Sequence, residues 1–382
     1  MNSFIPLIGL AVVALGIGIV GVTNGLHVFT HKMMDDPQLA AKCQRQRLFL
    51  MQVRTLLWLL VVIMIGGVVF FYLSGNSAEN QAVSEKRAQL LPVFDKDKLW
   101  EVPDPYLAET DKQAKLIHYG RDLIAHTQDY FGENGLVRAA SINGMNCQNC
   151  HLEAGTKPFG NNYFAVQSTY PQMRSRSGAL ETIPKRVNDC FMRSLNGQPL
   201  DTTSREMKAI VAYMRWLGTS VPKGEKPKGQ GLVEMPLLPR AADPSNGQKI
   251  YAAKCASCHG GNGEGLPMPD SPRDYPPLWG VGGYSEAAGL FRLSRFAGYV
   301  KANMPFGATF QNPQLTDEEA WDLAAFVNSQ PRPKHPFLDT DWPNISKKPF
   351  DHPFGPFSDT FPDIQHKYGP FEPILAFQKA HK

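Results

Sequence analysis

Cys147-Gln148-Asn149-Cys150-His151 and Cys255-Ala256-Ser257-Cys258-His259 are two copies of Cys-x-x-Cys-His. In each, two thiols at this spacing add across the vinyl groups of a haem, and the adjoining imidazole becomes the proximal iron ligand. Cys147, Cys150, Cys255 and Cys258 are therefore expected to hold two covalently bound haem c groups, with His151 and His259 on the irons. A zinc ribbon would need its four ligands together. Here the pairs sit in separate domain-sized segments, and each is followed at once by His. The pattern implies an electron carrier or a redox enzyme.

The chain has 382 residues, 43% of them hydrophobic, and a formal net charge of +4. That length allows more than one compact unit, and so small a charge gives no argument for nucleic acid as a partner. Of six cysteines, four belong to the haem motifs, leaving Cys43 and Cys190.

Residues 4–22 and 55–73 contain no charge and are long enough to cross a bilayer as helices. Together they predict a two-helix transmembrane hairpin over residues 1–78. The stretch between them carries Lys32, Lys42, Arg45, Arg47 and Arg54 against Asp35 and Asp36, which places that loop in the cytoplasm and both termini outside. The haem motifs then face the periplasm of a bacterial inner membrane, the side on which c-type haem is attached. Residues 1–3 lack the basic start of a cleaved signal peptide. On this topology Cys43 and Cys190 are on opposite sides of the bilayer and cannot pair.

Beyond the membrane the sequence reads as all-α, with two cytochrome c-like haem domains in tandem. Residues 79–105, polar and with Pro92, Pro103 and Pro105, read as a tether. The first haem domain spans about 106–222, where Thr203-x-x-Glu206 is a capping box opening an amphipathic helix. Residues 223–241, with Lys223, Lys226 and Lys228, read as a solvated linker. The second domain, about 242–335, is similar to a small class I cytochrome c: Gly247, Ile250 and Tyr251 precede the haem motif, and Thr316-x-x-Glu319 caps a final helix. Its distal ligand is expected to be Met304, in Asn303-Met304-Pro305-Phe306-Gly307, ahead of Met268. Residues 336–382 hold eight prolines and many aromatics with no helical period, which predicts an extended strap across the haem domains rather than a docking arm, with His352 and His366 not serving as ligands.

The two haem domains read as a degenerate repeat. Laying Val211-Ala212-Tyr213-Met214 over Ala324-Ala325-Phe326-Val327 carries Met304 onto Phe191, whose neighbours are Cys190 and Met192. Spacing leaves a thiolate and a thioether equally open as the first distal ligand.

Tyr170-Pro171-Gln172-Met173-Arg174-Ser175-Arg176, the run Arg186-Val187-Asn188-Asp189-Cys190-Phe191-Met192-Arg193-Ser194-Leu195-Asn196-Gly197, and the stretch from Cys150 to Gly155 resemble the dihaem thiosulfate dehydrogenases that form tetrathionate. The resemblance covers about residues 106–335. It implies that Cys190 is the distal ligand of the first haem and Met192 is packing. It further implies that substrate reacts at that first haem, while the second passes electrons out to a periplasmic cytochrome c or a membrane terminal oxidase. The membrane hairpin and the tail depart from the family pattern.

Joining two thiosulfate dianions requires a cationic pocket, because two double charges about 5 Å apart repel by about 3 kcal/mol even in water. Arg174, Arg176 and Lys157 are the expected anion holders, with Ser168 donating to a sulfonate oxygen; Lys185, Arg186 and Arg193 add charge nearby. Arg186 and Arg193 are read rather as surface charges or haem-propionate partners. A thiolate opposite His151 would hold the first haem at low potential and Met304 would hold the second higher, a gradient that serves either direction of the reaction. A reading from another class is a non-catalytic electron-transfer subunit of a respiratory complex, with Met192 on the first iron.

Overall fold

The uncharged run from Thr55 to Ala78 lies within one long helix, α1 (Pro37–Leu90), in a computed structural model that describes residues 20, 37–90, 93–109, 113–138, 142–269, 274–335 and 338–381. The chain divides into two units, Met1–Ala88 and Gln89–Lys382. In the first, Gln44–Phe70 is 27 residues of predominantly apolar helix. At 1.5 Å per residue that is about 40 Å, more than a hydrocarbon core of about 30 Å requires. Leu56, Trp58, Ile63 and Phe70 on this stretch are exposed, as side chains facing lipid would be.

The expected cytoplasmic loop is partly helix. Residues 37–54 continue α1, because Pro37 suits a first helical position and the following Ala, Leu, Gln, Lys and Arg are strong helix formers with no Gly among them. Lys42, Arg45, Arg47 and Arg54 therefore sit on the helix itself. The first expected span, 4–22, lies outside the described residues except Val20. Among the described residues there is thus one candidate span and not a two-helix hairpin.

The second unit holds both haem motifs. Helices α2 (Ala114–Ala125) and α4 (Arg205–Leu217) cross where Gly120 meets Ala209; a Cβ on Gly120 would lie 2.0 Å from the Ala209 carbonyl oxygen. Helices α5 (Pro244–Lys254) and α7 (Asp317–Ser329) cross in the same way, and a Cβ on Gly247 would lie 1.9 Å from the Asp322 carbonyl oxygen. Any side chain at either glycine would force the helices apart. The repeat alignment that sets Val211 on Ala324 also sets Ala209 on Asp322, so the two crossings are equivalent. Around the first pack Phe131, Phe164, Phe191 and Tyr213, and around the second Tyr251, Phe296, Trp321 and Leu323.

Helix α3 (Ile183–Arg193) and helix α6 (Leu293–Asn303) complete the two domains. The domains are mostly helical rather than wholly so, because β1 (Gln172–Arg174) and β2 (Ala179–Glu181) pair as a short antiparallel hairpin. At the start of α7, Thr316 and Glu319 form the expected capping box. For α4 the cap moves by one residue to Ser204, whose hydroxyl accepts from the Met207 amide at 3.2 Å, because Asp201 engages both the amide and hydroxyl of Thr203 at 2.8 and 2.9 Å.

Neither the tether nor the linker runs free. Residues 79–90 end α1, while Trp100 is buried and stacks on Phe164 with ring centroids 3.5 Å apart. Lys223 and Lys228 donate to the carbonyls of Tyr170 and Asp97 at 2.5 and 3.2 Å, and Leu232 and Leu238 enter the second core. The tail is not extended throughout. It forms α8 (Asp363–Tyr368) and α9 (Glu372–Ala380), because its aromatic and aliphatic residues find apolar surface to cover: Phe371 and Ile374 are buried against the second haem domain. His366 is buried between the Phe350 carbonyl at 3.0 Å and the Asp359 carboxylate at 2.9 Å.

Candidate functional site

The first haem motif forms a short 3-10 turn, Cys147–Asn149, held by Asn146 and Asn149, which cap each other's backbone. The Cys147 amide donates to the Thr127 hydroxyl at 2.9 Å. Behind it His151 stacks on Tyr163, centroids 4.5 Å apart, with its Nδ1 on the Asn161 carbonyl. A carbonyl accepts, so Nδ1 bears the proton and Nε2 keeps a free lone pair. Cys147, Cys150, His151 and Cys190 all open onto one cavity of about 990 Å³ empty volume, counting the part open to solvent. Its walls are otherwise largely apolar, with Ile124, Met145, Val166, Ile183, Val187, Ile210 and Met214. Two thiols, a correctly presented imidazole and a largely apolar cavity fit a haem held through Cys147, Cys150 and His151.

Helix α3 supplies the opposite wall. Ile183, Arg186, Val187 and Cys190 share one face of it, while Phe191 is turned into the core against Phe131, ring centroids 5.3 Å apart. Met192 is not among the residues lining the cavity. Arg186 Nη1 donates to Cys190 Sγ at 3.3 Å. Burial pushes the Cys190 thiol up, but the Arg186 guanidinium and His151 outweigh it and bring it down to about 7. The Arg186 guanidinium thus favours the thiolate form of Cys190.

In the second domain Cys255 caps the end of α5, and His259 Nδ1 meets the Pro276 carbonyl at 2.9 Å, again leaving Nε2 free. Burial lowers the His259 imidazole, which favours the neutral form that binds a metal. Met304 follows the last residue of α6 and packs, partly buried, against the second core together with Cys255. These residues fit the second haem. The two motifs are tied together through α6, since the Tyr299 hydroxyl donates to the Asn149 carbonyl at 2.7 Å and the Asn303 amide to the Phe159 carbonyl at 3.0 Å.

The expected anion holders separate. Arg174, about a third exposed, lies 3.7 Å from buried Glu181. Arg176 is largely buried, 3.8 Å from Asp341, and donates to the Ala287 carbonyl at 3.3 Å. Lys157 sits in the loop between His151 and Asn161 and is not on the cavity wall. Ser168 is buried elsewhere, its hydroxyl directed at the carbonyls of Ala165 and Glu225 at 3.0 and 2.7 Å. Lys185 is matched by Asp189 at 2.7 Å and Arg193 by Asp341 at 2.6 Å. Arg186 alone of these cations lines the cavity.

Residues 132–222 match the family model described as SoxA/TsdA, cytochrome c domain, and residues 244–331 match cytochrome c. A thiosulfate dehydrogenase from Psychrobacter arcticus is 35% identical over 246 residues, 64% of this chain and 72% of the relative. Another, from Allochromatium vinosum, is 36% identical over 236 residues, covering 61% and 82%. This chain belongs to the thiosulfate dehydrogenase family. A solved thiosulfate dehydrogenase (TsdBA) from Marichromatium purpuratum superposes with a TM-score of 0.57 at 29% identity, over 63% of this chain and about half, 51%, of that one. As in the family, the chain carries two covalently bound haem c groups, one at each Cys-x-x-Cys-His motif.

Membership in that family makes the ranking of the arginines matter. Sequence reasoning placed Arg186 among surface or propionate charges and missed it as the residue facing the sulfur. The signal was present: Arg186 and Cys190 are four apart in a helix opened by Thr182 and Pro184, which sets them on one face.

Proposed function

We propose that this protein is a membrane-anchored dihaem cytochrome c that oxidises thiosulfate to tetrathionate at its first haem site, with His151 and Cys190 as the iron ligands there. The observation that carries this reading is the placement of Cys190 and Arg186 on the cavity wall that faces His151. Two thiosulfate dianions become one tetrathionate dianion, an S–S bond forms between their sulfane sulfurs, and two electrons leave. Bound haem supplies one-electron acceptance, and two haems match the two electrons.

The protein's own part is to gather and orient anions. Arg186 presents a guanidinium beside Cys190 in a largely apolar cavity, where a charge-assisted contact to a sulfonate oxygen is stronger than in water. Arg174 and Arg176 extend the positive field around that face of the domain, with Lys157 as a more distant contributor. His259 and Met304 complete the second centre, which passes electrons to a periplasmic cytochrome c or a membrane terminal oxidase. The same groups serve tetrathionate reduction when the potentials run the other way. The apolar stretch of α1 is the anchor in the bacterial inner membrane, with both haem domains in the periplasm.

Anaerobic mixing of the detergent-solubilised oxidised protein with thiosulfate tests the reading. The haem absorbance should shift to that of the reduced form as tetrathionate accumulates, one tetrathionate for each two electrons. No reduction by thiosulfate and no oxidation by tetrathionate would leave only an electron-transfer role.

A further inference from the structure

The residues after Pro336 lie beyond both family matches, the later of which ends at residue 331, and the thiosulfate reading makes no use of them. Their contacts reach back to the first haem domain. Asp341 accepts from Arg193 Nη1 and Nη2 at 2.6 and 2.7 Å, and Arg176 Nε lies 3.8 Å from the same carboxylate. All three side chains are largely buried. Next in the chain, the Trp342 amide donates to the Arg176 carbonyl at 2.7 Å, and its ring centroid lies 5.9 Å from the Arg176 guanidinium carbon. Pro343 then covers Gly178, where a Cβ would approach its ring to 2.6 Å. Segment 341–343 thus clasps the turn joining β1 to β2.

The other end of this strap is fixed to the second domain. Buried Asp351 accepts from Arg292 Nε at 2.8 Å and from the Ser294 amide at 3.0 Å, and Phe371 and Ile374 enter the second core. A carboxylate anchored on one haem domain is therefore delivered to an arginine pair on the other.

We propose that the strap is a supporting part of the sulfur-oxyanion site: Asp341 is a positioning residue that holds Arg176 and Arg193 together off the cavity wall, Arg193 lying two turns along α3 from Arg186. This rests on the thiosulfate reading above and deepens it. Burial, Arg193 and Arg186 together push Arg176 down to about 10, and Asp341 acts the other way. Without its counter-charge, a buried guanidinium pair repels and each member turns towards water, which takes Arg176 and Arg193 out of the positive field around the cavity that Arg186 lines. The groups at the sulfur, Arg186 and Cys190, stay in place, so capture weakens while the chemical step persists.

The test uses the full-length holoprotein in detergent. Asp341→Asn should raise the KM for thiosulfate about three- to ten-fold, the scale of a nearby buried charge, with kcat within about two-fold of wild type. Tetrathionate affinity of the fully oxidised protein, measured by calorimetry, should fall by the same factor. Asp341→Glu should recover most of both losses. Arg193→Gln combined with Asp341→Asn should be no worse than Asp341→Asn alone, since the two groups act as a pair. Haem content and the potential of the second haem report that each variant is folded. An unchanged KM overturns the inference, and so does a lowered one, which would mean that Asp341 competes with substrate. A wild type inert to both sulfur anions would instead remove the thiosulfate reading itself.

Discussion

Arg186 and Cys190 illustrate how much one helical turn decides. Four residues apart on α3, they meet at 3.3 Å, and the guanidinium is the main force drawing the buried thiol down against desolvation. If Cys190 is the distal ligand, electron paramagnetic resonance of the oxidised protein should show a low-spin thiolate signal that disappears in Cys190→Met. Cys190→Ala should lose the same signal and keep both haems covalently attached through Cys147, Cys150, Cys255 and Cys258; a spectrum unaltered in either variant would refute the ligand assignment. Arg186→Gln removes the cation nearest the sulfur and should lower kcat/KM for thiosulfate roughly ten- to a hundred-fold, the equivalent of about 1.5–3 kcal/mol. Reduction of the second haem by a small neutral donor should proceed as in wild type. Arg174→Gln should cost less, a few-fold, because that side chain is partly exposed and screened.

At the scale of elements, two pairs of crossed helices carry the haem motifs, and the second pair is fastened by a buried carboxylate. Asp322 on α7 accepts from Arg240 at 2.8 and 3.0 Å, from the Asp243 amide at 2.8 Å and from Asn246 at 2.8 Å. Burial pushes its carboxyl up, but Arg240, the Asp243 amide and Asn246 together hold it below the ordinary 3.8. A depressed folded value means stability that is fully present above the unfolded value and is lost as the pH falls through the folded one. Asp322→Asn should therefore destabilise the second haem domain by about 1.5–3 kcal/mol near neutrality, and thermal melts at lower pH should show the gap to wild type closing. For α1, a periplasmic reporter fused after Gly75 should be active and a cytoplasmic reporter inserted near Gln38 should be active, with the reverse pattern contradicting the charge rule. The caps show the limit of pattern reading at this scale. Thr316 and Glu319 cap as their spacing predicts, whereas Thr203 yields to Ser204 because Asp201, two residues ahead of it, captures its hydroxyl.

Across the whole molecule, the C-terminal segment joins parts that the repeat alone would leave separate. Truncation after Pro333 uncovers the surface that Phe371 and Ile374 bury and removes the Asp351 pair with Arg292, so the melting temperature should drop by several degrees while both haems stay attached. The haem motifs, the apolar run at 55–73 and the tandem order were legible in the chain, because covalent haem attachment and bilayer length each demand particular residues at short, local spacing, whereas the crossings at Gly120 and Gly247 emerged only with the packed helices. That the chain places Cys190 rather than Met192 on the cavity wall follows from helix phase, once α3 is known to face His151. Which arginine meets the sulfur, which are matched by Glu181 or Asp341, and that Ser168 turns to the Glu225 carbonyl were settled only by tertiary packing. Those partners lie up to 165 residues away along the chain, between Arg176 and Asp341, and a charge read in sequence carries no mark of the distant carboxylate that folding brings to it.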